Sequence, residues 1–400
     1  KMYNKAIFFS FLFVHFVFSC QQDSNKINYP STKKVTKVEK YFGTEVIDNY
    51  RWLENDNAVE TKNWVDKQNK TTFSYLKNIP FRNQIKNRLE QIWDYDKVSV
   101  PFKEGYYTYF YKNSGLQNQY VVYRKKKGYE EEVFLDPNTF AKDGTTSLAG
   151  LNFSKSGKLL AYSISEGGSD WRKIIVMDAI DKKIIEDTLV DIKFSGIQWK
   201  LDDGFFYSSY DKPEGSELSQ MTDQHKLYYH KLGTPQSEDV LIFGGLPEQK
   251  HRYVAGSVTR DGKYLFITAS KTTSGNISLI KDLSTLKSPL LKVDEDYNTD
   301  SYLLDAIKDN LYIVTNSNAP NKRVVKVSAK SPQEKNWKDF ISETEHVLFP
   351  SSGGGYFFAR YIVNVMTKVI QYDFKGNNMG DIKLPGIGTA GGWNGKMEDE

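Results

Sequence analysis

The sequence has 400 residues, which are too many for one small hydrophobic core. Its 54 Lys and Arg residues nearly balance its 50 Asp and Glu residues and leave a net charge of +4. The charge is spread along the chain, and the short basic run at residues 124–127 is typical of a solvated turn, so we expect no nucleic-acid partner. The only cysteine, Cys20, excludes an intrachain disulfide and leaves no thiol elsewhere for catalysis or metal binding.

Residues 1–28 differ in kind from the rest of the chain. Lys1 and Lys5 flank the start, residues 6–18 are nearly all apolar, and Ser19-Cys20 closes the run. The run is too short to span a bilayer and predicts a secretion signal over residues 1–20. It resembles bacterial lipoprotein signals, in which the cysteine is lipidated, although an ordinary cleaved signal is the alternative. With the polar tether at 21–28, we expect an exported protein, in the periplasm or cell envelope, that meets the membrane only through a lipid anchor at Cys20.

Residues 29–100 are helical in character. Asn57 followed by Glu60 has the form of a capped helix start, and the apolar pattern continues toward Pro80. A second amphipathic helix is predicted from apolar residues at helical spacing, namely Ile85, Leu89, Ile92 and Trp93. The apolar faces of both helices have no partner within this segment.

A repeated phrase organises residues 101–400. In its clearest copy, residues 152–178, a strand leads into Ser-Lys-Ser-Gly157, and two further strands follow. Similar turns recur around positions 105, 157, 204, 262, 310 and 355, which lie 52, 47, 58, 48 and 45 residues apart. These steps match the four-strand blade of propeller repeats. We therefore predict a mainly β protein with a propeller of four-stranded blades, six complete and a seventh beginning; the alternative is a generic antiparallel sheet with coincidental turns.

The residues of this chain supply no recognisable catalytic centre. A serine nucleophile on a strand-to-helix turn needs small residues two positions before and after it, but the nearest match, Gly167-Gly-Ser169-Asp-Trp171, has Trp in the second place. That pattern favours a turn between strands. The histidines lack metal-ligand spacing and a nucleophile partner, so we interpret all five as structural and expect no metal or cofactor. They are His15, His225, His230, His251 and His346.

Short strings in the same order along the chain resemble the prolyl oligopeptidase family, the proline-specific serine peptidases. The most specific is Tyr50-Arg-Trp-Leu-Glu54, within residues 46–54. The others are Tyr41-Phe-Gly43, Gln68-Asn69, Trp93-Asp-Tyr95, Asn113-Ser-Gly-Leu-Gln-Asn-Gln119, Leu135-Asp-Pro-Asn138, Gly168-Ser-Asp-Trp171, Lys193-Phe-Ser195 and Lys226-Leu-Tyr-Tyr-His230. The resemblance covers residues 29–400.

The resemblance implies that the helical segment packs on an α/β-hydrolase domain and that a seven-bladed propeller gates access to it. The family's catalytic Ser, Asp and His follow the propeller, whereas this sequence ends at Glu400, where Trp393-Asn-Gly395 begins a seventh blade. With Lys1 preceding Met2, we interpret the chain as a fragment that is inactive by itself. The implied chemistry is acyl transfer without a cofactor: a serine activated by histidine attacks the carbonyl after proline, and an oxyanion hole stabilises the intermediate.

The resemblance also implies substrate-facing residues in the propeller. Phe194 matches an aromatic that lines the substrate site, although an inward core position is the alternative. Ser270 stands where the family has a substrate-binding Arg, so anchoring rests on another group, with Lys271 as the candidate. Asp170 is a third candidate, either pairing with a cation of the hydrolase domain or lying in a solvated turn.

Two functions therefore stay open at this point. The first is a proline-specific serine endopeptidase that cleaves short proline-containing peptides, of which this chain is the N-terminal and propeller portion. The second is a secreted propeller that binds peptides or a protein without catalytic activity. The helical segment favours the enzyme, because its apolar faces need a hydrolase domain to cover them.

Overall fold

The computed structural model describes residues 27–213 and 222–397. These residues separate into two compact units, Lys1–Asn87 and Arg88–Glu400. The predicted signal, its Cys20 and most of the tether lie outside the described residues. Neither helix within the described ranges is long and apolar enough to cross a membrane.

The first unit contains a β-hairpin and helices. A 3₁₀ turn, Arg51–Glu54, connects the hairpin to the first helix, and the second helix runs across the boundary between the units. The elements are β1 (Lys37–Tyr41), β2 (Thr44–Asp48), α1 (Val59–Lys77) and α2 (Arg82–Trp93).

Side chains of residues 50–54 connect the hairpin with neighbouring parts of the chain. Arg51 forms salt bridges to Asp48 and Glu39 of the hairpin, both at 2.8 Å. The indole nitrogen of Trp52 donates to the carbonyl of Lys33 over 3.0 Å. This short turn therefore fixes the hairpin against the extended chain that precedes it.

Residues 29–100 contain one element that was not predicted and one helix start that was predicted wrongly. The hairpin was not predicted, because most of its residues are exposed and its pattern carries little hydrophobic signal. Its turn places Phe42 and Gly43 at φ 49° and 89°, the left-handed geometry of tight hairpins. The cap at Asn57 was also wrong: Ala58 is the N-cap, without a side-chain hydrogen bond, and Glu60 instead pairs with Lys33 at 3.0 Å.

The second unit confirms the predicted β-propeller, with six antiparallel sheets that follow one another in the chain. In blade 1 the innermost strand is split, and both pieces pair with β5. In blade 2 the outermost strand is split, and both pieces pair with β10. Blade 1 comprises β3 (Lys97–Val98), β4 (Phe102–Glu104), β5 (Tyr107–Asn113), β6 (Val121–Lys126) and β7 (Glu132–Leu135). Blade 2 comprises β8 (Thr146–Phe153), β9 (Leu159–Glu166), β10 (Trp171–Asp178), β11 (Lys183–Ile184) and β12 (Leu189–Lys193).

The other four blades each have four strands in chain order. Blade 3 comprises β13 (Gln198–Lys200), β14 (Gly204–Ser209), β15 (Lys226–Lys231) and β16 (Val240–Phe243). Blade 4 comprises β17 (Tyr253–Val258), β18 (Tyr264–Ser270), β19 (Ile277–Asp282) and β20 (Leu290–Asp294). Blade 5 comprises β21 (Ser301–Ile307), β22 (Asn310–Thr315), β23 (Arg323–Ser328) and β24 (Lys338–Ile341). Blade 6 comprises β25 (Phe349–Gly353), β26 (Tyr356–Val363), β27 (Met366–Tyr372) and β28 (Asn378–Asp381).

The six predicted turns all join the first strand of a blade to its second. We call the end of the blades where they lie the turn end. Gly157 shows why glycine is needed there: its φ is 71°, and a Cβ would come within 2.4 Å of the Gly105 nitrogen in the neighbouring blade. The opposite end, which we call the loop end, carries the links between second and third strands and the connections between blades.

The hydrophobic core lies between consecutive blades. One cluster of buried side chains joins blades 1 and 2, another joins 2 and 3, and the series continues to blades 5 and 6. Phe206, Phe266 and Phe357 are among the largest fully buried side chains. Burial of side chains of this kind is the main stabilising term, at about 1.5–3 kcal/mol each.

The basic run at residues 124–127 is not simply a solvated turn. Residues 125–127 are exposed, but Arg124 is 3% exposed. Its guanidinium lies 4.1 Å from the centre of the Tyr107 ring and bonds to Glu132 and to the carbonyls of Ala179 and Ile180. Arg124 thus links blade 1 to blade 2, a role that composition does not reveal.

Residues 382–397 form no strand. The backbone of the predicted seventh-blade start nevertheless lies beside β25, since the Gly395 nitrogen donates to the Ser352 carbonyl over 3.2 Å and the Gly354 nitrogen to Lys396 over 2.9 Å. Lys396 also forms a 2.7 Å salt bridge with Glu104 of blade 1. This segment therefore contacts both blade 6 and blade 1.

Candidate functional site

All four residues singled out from the sequence lie at the loop end of blades 2 to 4. Asp170 is in the link between β9 and β10, and Phe194 follows β12 directly. Ser270 ends β18, and Lys271 follows it. The structure therefore gathers them at one end of three adjacent blades, although they are up to 101 residues apart in the chain.

Phe194 is not a core residue. Its side chain is 45% exposed, and its backbone has a φ of 53°, a left-handed conformation that costs a non-glycine residue roughly 1–2 kcal/mol. Its ring packs edge-on against Tyr210 and Tyr253, with centroids 6.3 and 5.8 Å away. Residues held in such backbone conformations cluster at functional sites.

Beside Phe194 lies a buried cation that the sequence did not mark. Lys193 is 8% exposed and is the cross-strand partner of Trp171. Its ammonium lies 4.9 Å from the centre of the Trp171 ring and 5.3 Å from that of Phe194. Within the described ranges it makes no salt bridge.

His225 holds this cluster in place. Its Nε2 donates to the carbonyl of Lys193 over 2.9 Å, and its Nδ1 accepts from the backbone of Val254 over 2.9 Å. The ring also stacks on Tyr210 at 4.3 Å. Burial lowers the pKa of His225 to about 4, which keeps the neutral ring that both hydrogen bonds require. One side chain of blade 3 thereby fixes the end of blade 2 to the start of blade 4.

Two cations lie near Ser270, Lys271 and Arg252. Lys271 lies over the ring of Tyr297, 4.1 Å from its centre, and so points toward the link between blades 4 and 5. Arg252, which the sequence did not single out, precedes Tyr253 and has its guanidinium 5.6 Å from that ring. Its backbone nitrogen donates to the Ser270 carbonyl over 2.9 Å. Arg252 is thus a second cation next to the aromatic cluster.

Asp170 is exposed and makes no side-chain hydrogen bond or salt bridge within the described residues. Ser169 forms a turn in which its Oγ accepts from the Trp171 nitrogen over 3.1 Å. This is the turn between blade strands that was predicted for the imperfect nucleophile motif.

The other described histidines are structural or peripheral. His230 lies between Asp239 and Glu186, at 2.7 and 3.1 Å. Burial disfavours its charged form, but the hydrogen bonds to these two carboxylates outweigh burial and raise the pKa of His230 to about 9. A 2.6 Å hydrogen bond joins His251 Nε2 to Tyr297 Oη. His15 lies outside the described residues, and no cluster of three or more metal-ligating side chains occurs within them.

The turn end carries a separate, polar cavity of about 1060 Å³. Glu104, Arg260, Ser352 and Lys396 are among its lining residues. The guanidinium of Arg260 donates to the carbonyl of Gly395. The aromatic cluster at the loop end and this cavity thus differ in chemistry: the first combines rings with cations, and the second is polar and contains the salt bridge between Lys396 and Glu104.

Comparison with known proteins relates this chain to one family. Residues 29–400 match the family model described as the prolyl oligopeptidase N-terminal β-propeller domain. The chain is 53% identical over 380 residues to the prolyl endopeptidase of Elizabethkingia miricola, covering 95% of this chain and 54% of that protein. It is 52% identical over the same length to the enzyme of Elizabethkingia meningoseptica. The chain therefore spans about half the length of these relatives.

Solved structures show the same likeness. Prolyl oligopeptidase B from Galerina marginata, bound to a 35mer hydrolysis and macrocyclization substrate, superimposes with a TM-score of 0.80 at 26% identity, covering 93% of this chain and 56% of that one. A prolyl endopeptidase studied for inter-domain dynamics in catalysis and specificity gives a TM-score of 0.68 at 32% identity over 91% of this chain.

Proposed function

Because the chain belongs to the prolyl oligopeptidase family, we propose that it is the N-terminal and propeller portion of a serine-type endopeptidase that cleaves short peptides on the carboxyl side of proline. The match of residues 29–400 to the family's propeller model carries this proposal. The peptidase chemistry belongs to an α/β-hydrolase part outside these 400 residues, with a serine as nucleophile and a histidine as its base.

In this proposal the propeller binds and admits substrate. Its loop end offers Phe194 and Tyr253 as exposed or half-buried rings, which suit the flat apolar face of a proline-containing peptide. Arg252 and Lys271 are the candidate donors to the peptide backbone, in the absence of a cation at Ser270. Asp170 is exposed and is available to pair with a cation of the hydrolase part.

The test is an assay of the full-length protein with a chromogenic prolyl anilide, with and without a serine-directed organophosphate. The proposal expects proline-dependent release that the inhibitor abolishes. If the full-length protein binds proline peptides and never cleaves them, the alternative of a non-catalytic binding propeller is correct.

We further propose that the protein is exported and anchored by a lipid on Cys20. The apolar run at residues 6–18 and the polar tether after Cys20 support this. Metabolic labelling with a radioactive fatty acid should mark the wild-type protein and not Cys20→Ser; an unlabelled wild-type protein would refute the anchor.

A further inference from the structure

Within the part of the chain that the structure describes, Lys193 is a buried cation that no carboxylate pairs with. Only 8% of the residue is exposed, and within the described residues it has neither a salt bridge nor a side-chain hydrogen bond. Its Nζ retains some solvent exposure. Lysine is rarely this buried unless it is paired.

Three acidic side chains of the described residues, Asp191, Asp211 and Asp170, make no ion pair with Lys193. Asp191, two residues earlier, points to Lys212 at 2.9 Å. Asp211 pairs with Lys226 at 2.5 Å. Asp170, next to Trp171, is exposed and makes no ion pair with Lys193. Among the residues that the structure describes, Asp191 and Asp211 thus neutralise other lysines, and Lys193 has no carboxylate partner.

The surroundings hold the ammonium in a fixed place. The rings of Trp171 and Phe194 lie 4.9 and 5.3 Å from it, so two faces of the cation are covered. The Lys193 backbone is held by the 2.9 Å hydrogen bond from His225. Ring faces stabilise a cation but accept no hydrogen bond of normal strength, so the ammonium keeps unused donors in a site of low polarity.

We propose that Lys193, with Trp171 and Phe194, forms a binding site for a carboxylate of a peptide ligand, and that this site makes the protein prefer acidic over neutral peptides. This inference rests on the proposed function only in that the ligand is a peptide. A carboxylate that enters this site gains a charge-assisted hydrogen bond to a cation whose side chain is already largely buried. The carboxylate comes from the peptide's C-terminus or from an acidic side chain.

The experiment uses the full-length protein and four labelled octapeptides that contain one proline. They carry a C-terminal carboxylate or amide, combined with Glu or Gln at one internal position. Binding is measured by fluorescence polarisation in the cold, and cleavage of the same peptides is followed in parallel. The variants are Lys193→Met, which removes the positive charge at similar side-chain length, and Lys193→Arg, which keeps the charge. Lys231→Met, an exposed lysine at the turn end of blade 3, is the matched control.

We expect the wild type to bind the peptide with a carboxylate about tenfold more tightly than the matching neutral peptide, either for the C-terminal pair or for the Glu and Gln pair. The pair that shows the difference identifies the source of the carboxylate. Lys193→Met should erase this preference, while Lys193→Arg and Lys231→Met keep it. Equal binding of all four peptides by the wild type, or an equal loss for all four in Lys193→Met, would overturn the inference and make Lys193 a purely structural residue.

The two proposals fail in different ways. Preferential binding without cleavage leaves the carboxylate site intact and refutes the peptidase. Cleavage without any preference supports the peptidase and refutes the carboxylate site. If the wild type binds none of the four peptides, the carboxylate site is refuted together with peptide recognition.

Discussion

His225 donates a hydrogen bond from its Nε2 to the carbonyl oxygen of Lys193 over 2.9 Å. Its other ring nitrogen accepts from Val254, so one neutral histidine joins the end of blade 2 to the start of blade 4. The aromatic cluster of Phe194, Tyr210 and Tyr253 is arranged around this link. The geometry of the loop end therefore depends on a side chain that never reaches the surface.

Replacing His225 by Phe should destabilise the protein and weaken peptide binding together. The change keeps an aromatic ring but leaves the buried Val254 nitrogen and Lys193 carbonyl without partners, at about 1–3 kcal/mol for each group. Urea unfolding measures the loss. His346→Phe is the control, because His346 is partly exposed and its ion pair with Glu345 is long, at 3.6 Å. Equal stability of the two variants would show that the link is unimportant.

The free energy of unfolding should peak near pH 6.5, because one buried histidine lowers it below this pH and another lowers it above this pH. The pKa of His225 is lowered to about 4 by burial, so the unfolded chain binds more protons below pH 6.5 and stability falls from there toward pH 4. The pKa of His230 is raised to about 9, since its two carboxylate partners outweigh burial, so its contribution is complete below pH 6.5 and is lost as pH rises toward 9.

Thermal melts across this pH range test the assignment. In His230→Gln the decline between pH 6.5 and 9 should become shallower, while the acidic decline stays. An unchanged alkaline decline would mean that another group is responsible.

Much of this architecture was predictable from the sequence, and the failures have physical reasons. The six turns were found because a glycine, or the asparagine at position 310, between two strands is a local turn signal. Lys193 and Arg252 were missed because their neighbours come from other strands. Trp171 faces Lys193 through the pairing of β10 with β12, and Arg252 lies beside Ser270 through the pairing of β17 with β18. Arg124 was misjudged for the same reason, since its partners Ala179 and Ile180 belong to the next blade.

Phe194→Ala should lower kcat/KM on proline peptides by roughly tenfold, which is the scale of one lost apolar contact. Its effect on the melting temperature should be small, because the ring is 45% exposed. Ser270→Ala is the matched control and should change little. If Phe194→Ala lowers only the melting temperature and leaves the kinetics unchanged, Phe194 supports the fold and does not meet substrate.

The 400-residue chain produced alone should self-associate. Large apolar side chains of the described residues face solvent, with Phe73 at 63% and Trp93 at 60% exposure. Such surfaces favour association. Analytical ultracentrifugation should detect species larger than a monomer, increasing with concentration. A monomer with a sharp, reversible melt at all concentrations would contradict this expectation.

The most direct test of the whole account compares the full-length protein with the 400-residue chain on one prolyl anilide. The account predicts proline-dependent, organophosphate-sensitive release by the full-length protein and none by the chain alone, since the chain has a propeller and no nucleophile elbow. Release by the purified chain alone, or its absence from the full-length protein, would contradict the assignment of this propeller to a prolyl peptidase.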